Sequence, residues 1–490
     1  MSHATPSVVA LDVGTTGVRA LRIDATGAVR AQSYQEVLPA YPGPGLVEHD
    51  TEATLQAVHA VLRQALADVP AGSVRGLGLT TQRSTAVVWE AASGRAVHPA
   101  ISWQDGRTHE RCAELFGQGI VVVPLVAASK VEWLLDRVDA DRTRVRAGEL
   151  RCGTLESWLA WRLSDGRIFA TDHSCGSASG FYDTTQPRWH QPTLDALRIP
   201  VDALPALVDS CGALGEVGGR DGLPRLPLAA LIGDQQSAMM GQLRTEPGEV
   251  KITYGTAAML DLHAGTEPLW PSHGGYPLVL WSRGGRIEYC LEGTAVTAGA
   301  AVTWLRDGLG ILDTPAESGA LAASVSDSGG VWAVPAFQGL GTPYMDTGAR
   351  AVIGGLSRAS TRAHVVRAVL EGIAWRCREV YEALRADSPG PAPPVLRADG
   401  GAARNDVLLQ IQADALGLPI ERPAVLDAAA LGAAYLAGLA TGVWSDTDEL
   451  RAAWRADAVF EPQLGGDERE ARFARWQRHV GAARAEGTAA

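Results

Sequence analysis

Asp12 stands where an apolar run passes into a turn of small residues, Asp12-Val-Gly-Thr-Thr. Glycine lets backbone N–H groups approach phosphate oxygens, and threonine hydroxyls add further donors. A carboxylate beside such a turn can hold hydrated Mg2+, which keeps several of its waters. The pattern therefore indicates a phosphate-binding hairpin in which Asp12 organises the metal. A plain hairpin turn is the alternative for this segment taken alone.

A second turn of the same kind follows the run that ends at Tyr254. Its Gly255-Thr256 pair stands 241 positions after Gly14-Thr15, about half of the chain. A repeat at this spacing indicates a duplicated domain with two phosphate-facing hairpins. A third element, which begins with Asp399, ends a predicted strand and opens a helix, a geometry that suits a nucleotide at a helix N-terminus.

Asp234 lies between a glycine and two amides, just before an apolar helix. A carboxylate in this position can accept the proton of a substrate hydroxyl while its oxygen attacks a γ-phosphoryl group. A helix N-cap is the alternative role for an aspartate at this point. The sequence predicts that Asp234 is a general base.

The elements that must position these residues repeat in the two halves of the chain. Each half opens with a strand, a Gly-Thr turn and a second strand, and amphipathic helices follow. We expect two domains, residues 1–243 and 244–490, with the boundary near 243–248. The predicted helices cover 55–67, 131–138, 298–309, 364–386 and 405–416, and the charged stretch 446–490 is helix-prone.

Composition excludes several classes of protein. The 490 residues carry a net charge of -12, which disfavours a surface for nucleic acid or anionic lipid. Neither of the two lysines, Lys130 and Lys251, follows a glycine, so a Walker A loop is absent. No apolar run reaches membrane-spanning length and the six cysteines are scattered, so we expect a cytoplasmic protein without a structural metal.

Several motifs in their order make the sequence similar to a known family. They are LDVGTTGVRA, TTQRST, SWQDGRT, GDQQSA, TYGTA and DGGAARND. Together they resemble the FGGY carbohydrate kinases of the actin, hexokinase and heat-shock-70 ATPase superfamily, and among these the glycerol kinases. The resemblance covers nearly the whole chain. It implies an α/β fold of two duplicated actin-like (ribonuclease H-like) ATPase domains with a ligand cleft between them.

The resemblance also implies a reaction and its participants. The reaction is ATP-dependent phosphorylation of a primary hydroxyl of glycerol or a similar small polyol, giving the polyol phosphate and ADP. Mg2+ is the implied cofactor, and a homodimer or homotetramer is compatible with the family. Two alternatives stay open: the same mechanism on a larger polyol or a ketose of the pentulose or tetritol class, and a catalytically silent ATP-binding regulator.

Site residues follow from the resemblance, position by position. Asp12 is implied to hold Mg2+ through water, and Asp234 is implied to be the base. The phosphates are implied to meet Gly14, Thr15, Thr16, Arg19, Gly255 and Thr256. The adenosine site is implied to comprise Gly299, Gly400, Gly401 and Asn405. The polyol is implied to contact Arg83, Ser84, Trp103, Asp234, Gln235 and Met259.

Three positions depart from the glycerol kinase pattern. Ser84 stands where a glutamate is usual, Leu125 where a tyrosine is usual, and Met259 where an aromatic residue is usual. Each change removes a contact to the polyol, whereas the nucleotide and base positions are retained. We therefore expect glycerol to be used poorly compared with a dedicated glycerol kinase. For Arg107, a contact to the substrate and a surface ion pair are alternatives.

Overall fold

Two mixed β-sheets, one early and one late in the chain, carry the turns that the sequence analysis singled out. A computed structural model describes residues 5–67, 69–70, 72–388 and 390–489. The chain divides into two units. Unit 1 contains the residues up to Leu243 together with 278–288 and 429–454, and unit 2 contains 244–277, 289–428 and the residues from Arg455 onward. The predicted boundary at 243–244 is where the chain first passes from unit 1 to unit 2. A single boundary is not sufficient, however, because the chain returns to unit 1 at 278–288 and at 429–454.

The elements of the first 243 residues are fourteen strands and eight α-helices among the described residues. The strands are β1 (Ser7–Val13), β2 (Gly17–Asp24), β3 (Val29–Glu36), β4 (Glu48–His49), β5 (Val74–Thr81), β6 (Ala86–Glu90), β7 (Ala100–Ile101), β8 (Leu150–Thr154), β9 (Ala170–Asp172), β10 (Tyr182–Asp183), β11 (Arg188–Trp189), β12 (Ala206–Val208), β13 (Cys211–Val217) and β14 (Leu226–Gly233). The helices are α1 (Thr51–Ala65), α2 (His109–Gly117), α3 (Ala127–Val138), α4 (Thr143–Arg146), α5 (Leu155–Leu163), α6 (His173–Ala178), α7 (Gln191–Leu197) and α8 (Asp234–Gly241).

The remaining elements follow in the same chain order. The strands are β15 (Val250–Tyr254), β16 (Ala258–Gly265), β17 (Tyr276–Arg283), β18 (Arg286–Ala295), β19 (Trp332–Val334), β20 (Val352–Gly354), β21 (Leu396–Asp399), β22 (Ile420–Pro423) and β23 (Ala456–Phe460). The helices are α9 (Gly299–Asp307), α10 (Glu317–Ala323), α11 (Arg362–Asp387), α12 (Asp406–Leu416), α13 (Ala428–Thr441), α14 (Thr447–Ala453) and α15 (Gly466–Ala489).

The first sheet has the strand order β13-β14-β5-β1-β2-β3. β1 and β2 form the predicted antiparallel hairpin, while β1, β5 and β14 run parallel to one another. In register, Thr81 at the end of β5 faces both Val13 of β1 and Gly233 of β14. Because parallel strands end at the same edge of a sheet, the segments that follow these three strands start side by side. The sheet thus gathers three of the predicted site segments at one edge.

The second sheet repeats the topology of the first. Its order is β17-β18-β16-β15-β21-β22-β23. β15 pairs antiparallel with β16 and parallel with β21, β21 pairs parallel with β22, and β22 pairs antiparallel with β23. Apart from the additional strand β17, each strand of the second sheet occupies the same place in the strand order as one strand of the first sheet and pairs in the same direction with the strands beside it. The duplication predicted from the two Gly-Thr turns is confirmed.

Close helix packing explains several small residues in unit 1. A Cβ atom at Gly78 of β5 would overlap the carbonyl group of Ala433 in α13. One at Gly432 of the same helix would overlap the carbonyl group of Ser237 in α8. The Ser237 hydroxyl also donates a 2.6 Å hydrogen bond to the carbonyl of Ala429. Helix α13 therefore lies directly against β5 and against α8, the helix that begins at Asp234.

The predicted helices agree well with the observed elements, and the C-terminal prediction needs a correction. α1, α3, α9, α11 and α12 coincide with the five predicted helices to within a few residues at most ends. The stretch 446–490 is not helical throughout, because β23 joins the edge of the second sheet between α14 and α15. All six cysteines are buried free thiols. Among the described residues, no helix has the length and apolar content that crossing a membrane requires.

Candidate active site

Asp12 occupies the last but one position of β1, opposite Arg19 of β2. The two side chains are largely buried, and Asp12 Oδ2 lies 3.8 Å from Arg19 Nη1. The turn between the strands is closed by a 2.9 Å hydrogen bond from the N–H of Gly14 to the carbonyl of Gly17. Gly17 packs under the ring of Tyr34, where a Cβ atom would lie 2.6 Å from a ring carbon. The carboxylate is thus held by a rigid strand beside a turn of small residues.

The hydroxyl of Thr15 is engaged within unit 1. It donates a hydrogen bond to Gln82 Oε1 at 3.3 Å and accepts one from the indole Nε1 of Trp103 at 3.1 Å. The family resemblance implied that Thr15 contacts the phosphates and Trp103 the polyol. The structure brings these two residues into direct contact, a relation that their spacing of 88 positions did not indicate. Thr16, the next residue, is exposed at the turn.

Asp234 is the first residue of α8 and follows β14 without a gap. Its Oδ1 atom accepts a 2.8 Å hydrogen bond from the N–H of Gln235 and lies 3.4 Å from Arg83 Nε. The N-cap of α8 is Gly233, so the alternative reading of Asp234 as an N-cap is wrong. A Cβ atom at position 233 would lie 2.8 Å from Arg83 Cδ. Glycine at this position therefore lets the Arg83 side chain lie beside the carboxylate.

The strand end before Asp234 is held by a buried network that the sequence analysis missed. Ser174 Oγ accepts a 3.0 Å hydrogen bond from the N–H of Gly233 and donates one of 2.9 Å to Asp172 Oδ1. Asp172 also accepts a 2.6 Å hydrogen bond from the hydroxyl of Ser210. The sequence signal was local and weak, an aspartate one residue before α6, which it N-caps. This network fixes the backbone that carries Asp234.

Ser84 adopts a left-handed backbone conformation with φ of 63°. Its hydroxyl donates a 2.6 Å hydrogen bond to the carbonyl of Ala178 at the end of α6. Arg83, immediately before it, follows β5 and reaches Asp234 as described above. The segment after β5 therefore directs a guanidinium toward Asp234, while the Ser84 hydroxyl, buried within unit 1, bonds to backbone.

A buried lysine holds the backbone of the loop that contains Trp103. Lys130 Nζ donates hydrogen bonds to the carbonyls of Ser102 and Trp103 at 2.7 and 3.1 Å. Burial lowers the pKa of Lys130 to about 7. Arg107 in the same loop bonds to Asp105 at 2.8 Å and to Glu48 at 2.7 Å. Of the two readings of Arg107, the observed one is the ion pair, and it is largely buried rather than on the surface.

Leu125, which stands where a tyrosine is usual, is half exposed. It precedes α3, the helix that carries Lys130. Its exposure shows that the apolar side chain is not part of the core of unit 1. A change at this position therefore alters the surface of the unit more than its packing.

In unit 2 the second Gly-Thr turn packs on the start of α9. The carbonyls of Gly255 and Thr256 accept hydrogen bonds of 3.0 Å from the N–H groups of Gly299 and Ala298, respectively. A Cβ atom at position 299 would lie 2.6 Å from the Gly255 oxygen, so only glycine fits. Gly400 has φ of 86°, and a Cβ atom there would overlap the carbonyl group of Tyr254. Three of the predicted nucleotide positions are thus adjacent in space.

The other predicted positions in unit 2 lie on the neighbouring elements. Asn405 N-caps α12 through its Oδ1 and donates a 3.1 Å hydrogen bond from Nδ2 to Ser318 Oγ. Gly401 is exposed, and a Cβ atom there would have no neighbour within 4 Å. Met259 lies on β16, partly buried, between Thr253 and Thr294 of the adjacent strands. Open backbone beside a helix N-terminus suits the binding of a nucleotide.

Comparisons with known proteins show which family the chain belongs to. Residues 7–241 match the N-terminal domain of the FGGY family of carbohydrate kinases, and residues 250–441 match its C-terminal domain. The chain belongs to the FGGY family of carbohydrate kinases. It is therefore a carbohydrate kinase, and the family resemblance inferred from the motifs is confirmed.

Individual members of the FGGY family resemble the chain over nearly its full length. A glycerol kinase from Dechloromonas aromatica (strain RCB) is 44% identical over 485 residues, which cover 96% of each chain. The crystal structure of Plasmodium falciparum glycerol kinase with ADP superposes with a TM-score of 0.90 at 27% identity and covers 98% of both chains. A xylulose kinase from Rhodospirillum rubrum superposes with a TM-score of 0.81 at 25% identity, covering 97% of this chain and 98% of its own.

Proposed function

We propose that this FGGY kinase transfers the γ-phosphate of ATP to a primary hydroxyl of glycerol or a similar small polyol, giving the polyol phosphate and ADP. The similarity to proteins named glycerol kinase over nearly the full length supports this substrate class. The observation that carries the proposal is the set of Asp12, Arg83 and Asp234 at the ends of three parallel strands of one sheet.

Asp234 is the proposed general base. Its carboxylate is partly exposed, so a substrate hydroxyl can reach it, and it accepts the hydroxyl proton as the oxygen attacks phosphorus. Arg83 keeps the carboxylate in place, since the guanidinium Nε lies 3.4 Å from its oxygen. Trp103 and Gln235 are the proposed further contacts to the polyol. Phosphoryl transfer needs little covalent chemistry from the protein, so positioning by these groups accounts for most of the catalysis.

Mg2+ is the proposed cofactor, and Asp12 is the residue that holds it through water. A single carboxylate beside a small-residue turn fits a metal that keeps most of its waters. When bound, Mg2+ neutralises charge on the β- and γ-phosphates. Gly14, Thr16, Arg19, Gly255 and Thr256 are the proposed phosphate contacts, and Thr15 joins them through its backbone.

The adenosine of ATP is proposed to bind in unit 2 at Gly299, Gly400, Gly401 and Asn405. The close contacts of Gly299 and Gly400 with the Gly255 turn support this site, because they bring its backbone groups together. The ligand cleft between the two domains stays a prediction. A cytoplasmic location is proposed from the six buried free cysteines, which fit a reducing compartment. Assembly as a homodimer or homotetramer stays a prediction that light scattering can test.

The second candidate function is the same reaction on a larger polyol or a ketose. The observation that favours it is the Ser84 hydroxyl, which bonds to the Ala178 carbonyl and stands where glycerol kinases usually have a carboxylate. A buried substrate hydroxyl that loses its partner costs about 1 to 3 kcal/mol, or roughly 5- to 150-fold in affinity. Leu125, which offers no hydrogen bond where a tyrosine is usual, and Met259, which replaces an aromatic residue, act in the same direction.

The test is ADP release from purified protein with ATP and Mg2+ against a panel of triols, tetritols, pentitols and ketoses. Glycerol turnover above the no-substrate control supports the first candidate, and a higher kcat/KM for a larger compound supports the second. Asp234→Asn serves as the control for contaminating kinases. ADP release that no compound increases would refute both candidates and leave the silent regulator.

A further inference from the structure

Four side chains of unit 1 form a continuous hydrogen-bonded line, His49, Gln82, Thr15 and Trp103. Gln82 Nε2 lies 3.4 Å from His49 Nε2 and donates a bond of 3.4 Å to the carbonyl of Gly14. The hydroxyl of Thr15 bonds to Gln82 Oε1 at 3.3 Å, and the indole of Trp103 bonds to the same hydroxyl at 3.1 Å. The line therefore joins the first phosphate loop to Trp103, a predicted contact to the polyol.

The direction of each bond in the line follows from the donors available. The Gly14 carbonyl can only accept, so the amide nitrogen of Gln82 faces it and the amide oxygen faces Thr15. Burial lowers the pKa of His49 to about 4, so its ring is neutral at pH 7 and its Nε2 can accept from the amide. The indole N–H can only donate, so Thr15 accepts from Trp103 and donates to Gln82. Every group in the line has one consistent role.

The two buried members of the line, His49 and Gln82, cannot reach a ligand themselves. His49 and Gln82 are 3% and 2% exposed, whereas Thr15 and Trp103 are only partly buried. A buried pair that bonds to a loop residue acts through that residue. Hydrogen bonds in a chain polarise one another, so a change at Thr15 is felt at Trp103.

We propose that Gln82 and His49 are positioning residues that couple nucleotide binding to polyol binding. They turn the Thr15 hydroxyl toward Trp103, so that the phosphate loop and Trp103, a predicted contact to the polyol, form one hydrogen-bonded unit. Binding of either substrate then orders the unit, and the second substrate binds to a site that is already ordered. The proposal rests on the proposed function, since it needs ATP at the loop and a polyol at Trp103.

The experiment measures the ratio of the KM for ATP at low polyol concentration to that at saturating polyol, with glycerol and in parallel with D-xylulose. Wild type is expected to show a ratio of about 5 or more with glycerol, with D-xylulose or with both, which is within the usual range for coupling between two binding sites. In full-length Gln82→Met the ratio is expected to approach 1, with a smaller change in kcat. His59→Phe is the matched control, since His59 pairs at 3.7 Å with Asp221 outside the line, and it should keep the wild-type ratio.

Trp103→Phe provides a second variant that should fold even if Gln82→Met does not. It keeps an aromatic ring at this position but removes the indole N–H that donates to the Thr15 hydroxyl, so its ratio should also fall toward 1. A wild-type ratio of 1 with both glycerol and D-xylulose, or a wild-type ratio retained within twofold in a folded Gln82→Met or Trp103→Phe protein, would overturn the proposal. Absence of phosphoryl transfer in wild type would instead refute the proposed function, which separates the two failures.

Discussion

The guanidinium Nε of Arg83 lies 3.4 Å from Oδ1 of Asp234, although the two residues are 151 positions apart. The contact exists because β5 and β14 run parallel and end side by side, with Thr81 opposite Gly233. The glycine before Asp234 leaves room for the arginine. The pair therefore depends on the register of β5 and β14 and on the glycine at position 233, which has no side chain to displace Arg83.

Asp234→Asn should lower phosphoryl transfer by about 10^2 to 10^4 while nucleotide still binds. The amide has nearly the same volume, but it cannot take the proton of the substrate hydroxyl. Steady-state ADP release measures the rate, and calorimetric titration with ADP measures the binding. Turnover within threefold of wild type would place the base elsewhere.

Asp12→Ala should weaken Mg2+-dependent ATP use, because the variant loses the carboxylate that orders the water shell of the metal. The Mg2+ concentration for half-maximal rate should rise, and high Mg2+ should restore the rate only in part. Asp24→Asn on the next strand makes a carboxylate control that lies outside the loop. A Mg2+ dependence equal to that of wild type would leave Asp12 a structural residue.

Ser84→Glu combined with Leu125→Tyr should raise kcat/KM for glycerol and lower it for a better, larger substrate. The double variant restores the two hydrogen-bonding side chains that glycerol kinases usually have. Each regained contact should contribute about 1 to 3 kcal/mol. Leu125 is half exposed, so the tyrosine should be accommodated without repacking. A wild-type enzyme that already prefers glycerol, with a micromolar KM, would contradict the expectation of poor glycerol use.

Ser174→Ala should lower kcat more than it raises KM, because the hydroxyl holds the N–H of Gly233 next to Asp234. The buried N–H of Gly233 loses its partner, and Asp172 Oδ1 loses one hydrogen bond while keeping that from the N–H of Cys175, which should reduce the free energy of unfolding by about 1 to 3 kcal/mol. Ser164→Ala is the matched control, since its hydroxyl bonds to the carbonyl of Trp161 and the N–H of Ile168 away from the site. Equal losses of kcat in the two variants would remove the positioning role from Ser174.

Lys130→Met should flatten the dependence of stability on pH above neutrality. The folded-state pKa of Lys130 is about 7 against 10.5 for a free lysine, because burial disfavours its charge. Between these values the unfolded state binds more protons, so the wild-type free energy of unfolding rises with pH. Asp105, Arg107 and Cys112 are the other charged or titratable groups that act on it. Urea unfolding at pH 7, 8 and 9 measures the slope, and Cys112→Ser should retain it. Equal slopes in wild type and Lys130→Met would contradict the assignment.

What sequence reasoning predicted correctly was mostly local. The Gly-Thr turns after apolar strands and the aspartate that begins α8 are patterns within short segments, and each led to the right element, as did the repeat of the turns 241 positions apart. Such patterns are informative because a glycine or a capping residue acts on its own neighbours in the chain. The strand β23 was missed because three of its five residues, two alanines and an aspartate, are not typical of strands and none of the five is fully buried.

The interactions that escaped prediction join residues far apart in the chain. Ser174 reaches Gly233 across 59 positions, and the Ser84 hydroxyl reaches the Ala178 carbonyl across 94. No spacing rule connects such pairs, since their contact depends on how whole elements pack. The same holds for Thr15, whose hydroxyl bonds to Gln82 and Trp103 although its position in the motif indicated a phosphate contact.

Helix α13 belongs almost entirely to unit 1, although it is synthesised after residues 289–428 of unit 2. Unit 1 therefore cannot complete its folding until late in synthesis. Gly78 and Ser237 are both made long before Ala433 and Gly432, the residues that lie against them. A ribosome that has released the first 243 residues has therefore produced a sheet that still exposes an apolar face. This face stays uncovered until about 200 further residues emerge, at roughly 5 to 20 residues per second. A fragment cut at Leu243 keeps that face exposed permanently, so the first half of the sequence is expected to aggregate when it is expressed alone.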